Sequence, residues 1–248
     1  MFIFFKSRLK WIWIATTVVI TAFILLNATI YFRNVPTPTF LLEKGELRFS
    51  PLWRTAFFFH VIASCVCLAT GPLLMIPKLI GYRPLHAVLG YTYLNAVLWI
   101  AAPSGLIISL VAKGGPISAA GFVFTGLMWW YATWLGYRAI RSRNRFNLTA
   151  HICWMVRSYA IALSAVAFRI IQQVLAYAPF DANTNYTLSI WLSLFVSLWI
   201  SETCIYRQFK NRSSIELKQR TPSWFSVPFS YPKRGKENES LPGNTVGT

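Results

Sequence analysis

The sequence predicts an all-α fold: a polytopic transmembrane helical bundle with six spans and both termini in the cytoplasm. Composition is the first reason, because 55% of the residues are hydrophobic and only 12% are charged, whereas soluble domains carry about 25% charged residues. The second reason is that six apolar runs reach the length of about 20 residues that a membrane-crossing helix needs. None of them alternates apolar with polar residues at period two, as strands of a membrane barrel do.

The first run covers residues 11–32 and follows three basic residues, as a signal peptide would. We interpret it as a retained anchor, because no small-residue cleavage motif follows it. The other five predicted spans cover residues 55–77, 87–112, 117–140, 151–178 and 186–206.

The distribution of basic residues predicts the orientation and is the third reason for the fold class. A cytoplasmic N-terminus places most lysines and arginines in cytoplasmic segments, as the positive-inside rule requires. Residues 1–208 are then the six-span domain, and residues 209–248 are a basic, proline-punctuated cytoplasmic tail that we expect to be disordered. The net charge of +17 predicts contact with anionic lipids at the cytoplasmic face. No basic module stands apart from the spans, so nucleic acid is not an expected partner.

The chain has three histidines, and all of them lie at or just inside the ends of apolar runs. Ionisable groups inside a membrane are costly, so each is a candidate functional residue. His86 and His151 begin runs that enter from the cytoplasmic side, and they are therefore expected at similar depth. His60 lies roughly 8 Å inside the opposite end of its run, at a rise of 1.5 Å per residue.

Two arginines lie within the fifth predicted span. Arg157 is roughly 9 Å deeper than His151, and Arg169 is roughly 27 Å from it, at the depth of His60. An arginine keeps its proton and must find a partner or a bound anion, such as a haem propionate, a lipid phosphate or a carboxylate substrate. Glu202 is the candidate protein partner of Arg157, and Asp181 that of Arg169. The competing interpretation is that these side chains only extend to the headgroups.

The order of these residues resembles a widespread family of multi-pass membrane proteins of unknown function (domain of unknown function family twenty-three-oh-six). The resemblance covers about residues 55–175, and Ala87 and Ile152 stand where the family has arginine. Histidines near both faces also make the bundle distantly similar to b-type cytochrome membrane domains, which is a likeness at the level of fold. The matching residues are His60, Gly71, Pro72, His86, Gly90, Tyr93, Gly121, Phe122, His151, Trp154, Met155, Arg157, Ser158, Tyr159 and Arg169.

These observations favour a b-type haem electron-transfer protein. A neutral imidazole is the commonest nitrogen ligand of haem iron, so His86 and His151 are the predicted axial ligands of haem b. Arg157 is the candidate partner of a propionate, and His60 and Arg169 complete the set of candidate cofactor-binding residues. With three histidines, at most one bis-histidine site can form.

Other classes of function stay open. In an anion or small-molecule channel or transporter, His60, Arg157 and Arg169 would line a polar path together with Gln172 and Gln173. A histidine would act as acid or base in a membrane enzyme with a lipid-like substrate. An accessory subunit would use the histidines for packing alone. We expect a cell membrane, with a bacterial plasma membrane as host; substrate and protein partners are not written in the sequence.

Overall fold

The computed structural model describes residues 42–76, 80–141 and 147–220, and five isolated positions between residues 15 and 29. Side chains are described as far as residue 207. The predicted first span, 11–32, and most of the predicted tail lie outside the described residues. Within the described ranges every regular element is helical and no strand occurs, which confirms the all-α prediction there.

In the part of the chain that the structure describes, six α-helices follow a short 3-10 helix at Gly45–Phe49. α2 and α3 form one continuous helical rod, because a π-helical turn at Ala96–Ala101 joins them. Proline opens α1 and stands in the first turn of α2, where its missing N–H costs nothing. The α-helices are α1 Pro51–Leu74, α2 Arg83–Asn95, α3 Ala102–Ser109, α4 Gly115–Arg141, α5 Leu148–Leu175 and α6 Ala182–Arg220.

Four of these helical segments are long and apolar enough to cross a membrane: Pro51–Leu74, Arg83–Ser109, Leu148–Leu175 and Ala182–Arg207. α4 has 27 residues but is not among them. Its second half carries three tryptophans and a tyrosine between residues 129 and 134, and the polar ring atoms of these side chains lower its mean hydropathy. The five predicted runs that lie in the described residues match helices within a few residues at most ends, although α6 continues well past the predicted end at residue 206. Four of them are found as candidate spans, and the six-span topology stays a prediction.

The helices pack through small residues and turn large apolar side chains outward. α4 packs most extensively against α5, while α1 packs along α2 and α3. On α6 a serine every fourth residue is buried, and this stripe consists of Ser189, Ser193, Ser197 and Ser201. Small hydroxyl residues of this kind let membrane helices approach closely. Trp99 is 75% exposed and Phe195 68% exposed, as expected for side chains that face lipid.

The chain divides into two compact units, residues 1–211 and residues 212–248. The first unit holds the helices described above and all candidate site residues. The second unit is described only along the last turns of α6, so the predicted disorder of the tail stays a prediction.

Candidate functional site

His151 lies in the first turn of α5 and is held by the backbone of α4. Its Nδ1 is 2.8 Å from the carbonyl oxygen of Gly136. A carbonyl only accepts, so Nδ1 carries the proton and Nε2 keeps its lone pair. Asn147 caps the same helix through a 2.9 Å bond from the Ala150 N–H to its side-chain oxygen. The position and tautomer of His151 are therefore both fixed.

His86 occupies the corresponding first turn of α2. It lies near enough to His151 for the two rings to interact electrostatically, as the depth argument predicts. Its Nδ1 is buried and has no hydrogen-bond partner among the described residues. Both imidazoles lie near helix N-termini, where the helix dipole favours the neutral ring. We call these two residues the His86–His151 layer.

Arg157 forms the predicted ion pair with Glu202. Its Nε donates to Oε1 at 2.5 Å and its Nη2 donates to Oε2 at 2.9 Å, in a bidentate arrangement. The guanidinium also lies 4.8 Å from the ring centroid of Trp154, at a distance typical of a cation–π contact. The pair connects α5 to α6, and it already neutralises the charge that was expected to meet a propionate.

A buried network of hydroxyl and indole groups occupies the middle of the bundle. Tyr93 Oη is 2.9 Å from Ser158 Oγ and accepts from Trp129 Nε1 at 3.3 Å. Ser158 Oγ is also 2.7 Å from Thr133 Oγ1, which donates to the Trp129 carbonyl at 2.8 Å. Ser158 and Thr133 are fully buried. We call Tyr93, Trp129, Thr133 and Ser158 the central hydroxyl network; its members satisfy one another, so it has the character of a structural element.

Tyr159 packs beside this network against the end of α1. Its Oη is 3.5 Å from the Leu68 carbonyl. A Cβ added to Gly71 would come within 2.1 Å of the Tyr159 ring. Gly71 is therefore a contact point between α1 and α5 that any side chain would block.

His60 lies towards the other end of the bundle and is also held by a backbone carbonyl. Its Nδ1 is 2.8 Å from the Ala101 oxygen, so the proton is on Nδ1 and the lone pair is on Nε2. A Cβ on Gly105 would lie 2.9 Å from His60 Cε1, so the glycine leaves the space that the ring uses. The π-helical turn ends at Ala101, and such turns often occur at functional sites.

The two histidine positions are separated by most of the span. Along the α2–α3 rod, Gly105 is nineteen residues from His86. At a helical rise of 1.5 Å per residue this is roughly 28 Å, close to the hydrocarbon thickness of about 30 Å. The prediction that His60 lies far in depth from His86 and His151 agrees with this separation.

Arg169 and Asp181 do not pair in the way the sequence suggested. Arg169 is exposed, with its guanidinium 5.8 Å from the Phe168 ring centroid. Asp181 instead caps α6, accepting from the N–H groups of Asn183 and Thr184 at 3.0 and 3.1 Å. A hydrogen bond from the Thr184 side chain, together with these backbone bonds, holds the pKa of its carboxyl below the usual range. Among the described residues, no hydrogen bond joins Arg169 to His60. A backbone N-cap competes well with a surface ion pair, because its geometry is fixed by the helix.

The segment before α1 lies against the turn between α3 and α4. Lys113 Nζ is 3.1 Å from the Glu43 carboxylate, and Lys44 Nζ donates to the Val111 carbonyl at 2.5 Å. Partial burial lowers the pKa of Lys44. These contacts hold residues 42–50 against the turn between α3 and α4, at one end of the bundle.

The described ranges contain no cluster of three or more His, Cys, Asp or Glu side chains that could hold a metal ion. A multi-ligand metal centre is thus not seen there, and the sites to consider hold one or two imidazoles.

The helices and the histidine positions define a class, an all-α protein with several helices suited to a membrane. Residues 57–205 match the family described as Predicted membrane protein (DUF2306). This match covers more than half of the chain, so the chain belongs to that family. No curated protein and no solved structure matches it.

Sequence reasoning missed the partners of the motif residues. It singled out Gly71, Tyr93, Ser158 and Tyr159 as parts of the resemblance without placing them together. The spacing of the motif carried a usable signal, because Ser158 is seven residues from His151 as Tyr93 is from His86. Equal spacing on two helices that start at the same end puts both residues at one depth.

Proposed function

We propose that this protein binds one b-type haem at the His86–His151 layer and works in electron transfer. Its topology in this proposal has six spans, which are the four apolar segments, α4 and residues 11–32, with both termini in the cytoplasm. A bacterial plasma membrane is the proposed location. The basic loop ends, among them Arg138 and Arg141, would contact anionic lipids at the cytoplasmic face.

The single observation that carries the proposal is the bond from His151 Nδ1 to the Gly136 carbonyl, at 2.8 Å. Metal-binding histidines usually donate their other ring N–H to a carbonyl or carboxylate in this way, which fixes the ring and leaves one lone pair for the metal. His86 brings a second imidazole of similar depth from another helix. Two imidazoles from different helices form the donor set of a bis-histidine haem.

The other residues near this layer also fit a haem, except that Arg83 replaces Arg157 as the candidate partner of a propionate. A haem, when bound, supplies a one-electron redox couple. His86 and His151 would hold its iron, and the buried His86 Nδ1, which has no partner in the described chain, is a polar atom that a ligand or water would satisfy. Arg157 would act indirectly by fixing α5 against α6 through Glu202. Arg83, one turn before His86 on α2, is the better placed cation for a propionate.

The other two hypotheses have weaker support. A channel or transporter would need Arg157 and Arg169 along one polar path, but Arg157 is paired with Glu202 and Arg169 is exposed. A carboxylate that orients a histidine base would favour a membrane enzyme, whereas His60 and His151 are both held by carbonyls.

The test is the visible spectrum of the protein purified in detergent from haem-replete cells. We expect a Soret band with about one haem per chain, lost in His86→Ala and in His151→Ala. His60→Ala is the matched control and should keep the band. Circular dichroism confirms that each variant is folded. A colourless wild-type protein, or a band that survives both substitutions in the His86–His151 layer, would overturn the proposal.

A further inference from the structure

We propose that His60 and Ser64 form a second, separate binding site that takes the phenolic hydroxyl of a lipid-soluble phenol or hydroquinone. The site lies on α1 in the half of the bundle away from the His86–His151 layer. It is reached from the side, through the bilayer.

The tautomer of His60 sets the chemistry of the ligand. Its Nδ1 donates to Ala101, so Nε2 can only accept a hydrogen bond or bind a metal. A ligand of this nitrogen must therefore present a donor. A hydroxyl does so, whereas the carbonyl of an oxidised quinone or an ester does not.

Ser64 supplies a second polar atom one helical turn from His60. Residues four apart lie on the same face of a helix. The Ser64 Oγ is buried and has no hydrogen-bond partner among the described residues. A buried hydroxyl left without a partner is destabilising, and a ligand hydroxyl that bonds to it removes that cost.

The surroundings select an aromatic, lipid-soluble ligand. His60 is partly exposed, and Phe59 and Ile62 on adjoining faces of α1 are 54% and 49% exposed, so a ligand would approach the ring from lipid. One to two turns away on the same helix, the rings of Trp53 and Phe57 stack with centroids 5.3 Å apart, and both are buried. An aromatic head group suits aromatic surroundings of this kind, and a phenol is a stronger hydrogen-bond donor than an aliphatic alcohol.

The requirement for a hydroxyl donor stands without the haem. Only the choice of a hydroquinone as the physiological ligand rests on the proposed electron-transfer function. The two sites are roughly 28 Å apart along the helices, so binding at one can be measured without the other.

The experiment uses the full chain in lipid nanodiscs, with ring-15N-labelled histidine. Three histidines give few resonances, and the His60→Ala variant assigns those of His60. We expect His60 to show the Nδ1–H tautomer. Titration with an alkylated hydroquinone, or with the matching alkylphenol, should shift the Nε2 resonance of His60 and leave His86 and His151 unchanged. The methyl ethers of the same compounds should give no shift.

Ser64→Ala should weaken hydroquinone binding roughly two- to ten-fold, the range expected for one net hydrogen bond of about 0.5–1.5 kcal/mol. Thr55→Ala, an exposed position on the same helix, is the control and should leave binding unchanged. The proposal is overturned if His60 carries its proton on Nε2, if the ethers bind equally well, or if Ser64→Ala has no effect. Intact binding in a protein that holds no haem would reject the haem proposal and leave this one standing.

Discussion

The centre of the bundle and its two histidine positions use polar side chains in opposite ways. In the central hydroxyl network each group is bonded to another side chain or to a carbonyl of the same cluster. At His151 and His60 one ring nitrogen is bonded to a backbone carbonyl, and the other keeps a lone pair. A network whose groups all bond to one another stabilises the fold. An imidazole with only one nitrogen bonded keeps a lone pair that a ligand can use.

Polar residues within these helices therefore have two different roles, stabilising the fold or binding a ligand. Tyr93 and Ser158 need no ligand to explain them, since buried hydroxyls of adjacent helices satisfy each other. His60 and His151 are each held by a backbone carbonyl of another helix, and Gly105 also leaves space for the His60 ring. Substitutions in the centre should therefore change mainly stability, and substitutions of the histidines should change mainly binding.

The largest effect on stability is expected from Gly71→Ala. The new methyl group would overlap the Tyr159 ring, 2.1 Å away, and forced repacking of a core costs about 1–3 kcal/mol or more. The measurement is unfolding in detergent, followed by circular dichroism. Gly90→Ala is the matched control, because the nearest atom to its Cβ is 4.0 Å away; it should be neutral or stabilising by up to about 1 kcal/mol. Equal effects of the two substitutions would contradict the packing described for α1 and α5.

A smaller loss is expected from Tyr93→Phe, which removes the shared hydroxyl of the central hydroxyl network. Trp129 Nε1 and Ser158 Oγ each lose a partner, and a membrane hydrogen bond of this kind is worth about 1–2 kcal/mol. The same unfolding assay measures it. Tyr91→Phe is the comparison, because Tyr91 is 51% exposed and should lose little. If Tyr91→Phe proves as costly, the network does not stabilise the fold.

The smallest effect is expected from the Arg157–Glu202 pair. Glu202 lies five residues from the end of the apolar segment Ala182–Arg207, and its side chain is 52% exposed. Ion pairs that water can reach contribute about 0.2–1 kcal/mol. A double-mutant cycle with Arg157→Gln and Glu202→Gln measures the coupling, in low and in high salt. A coupling well above about 1 kcal/mol would show that this pair stabilises the fold as strongly as the central hydroxyl network, and would contradict this prediction.

Depth and helix identity were predictable because both depend on position along the chain. The apolar runs located five helical segments, and counting residues put His86 at the depth of His151 and made Glu202 the candidate partner of Arg157. These arguments use the helical rise alone. They hold wherever two helices begin at the same end of the bundle.

Partners that are backbone atoms were not predictable. Every residue has a carbonyl, so nothing in the sequence marks those of Ala101 and Gly136 as acceptors. Gly105 gave no signal either, because its role depends on which face of α3 meets α1. The expected Arg169–Asp181 pair was wrong for a related reason: an aspartate just before a helix can bond to free backbone N–H groups.

The π-helical turn at Ala96–Ala101 contains one residue more than an α-helix would need over the same stretch. Because each residue of a π-helix turns the chain by less than the roughly 100° of an α-helix, the turn absorbs this extra residue locally. Deleting one alanine there would restore a regular α-helix, so Gly105 and His86 would both keep their orientations. The change would be confined to the residues around Ala101, whose carbonyl holds His60.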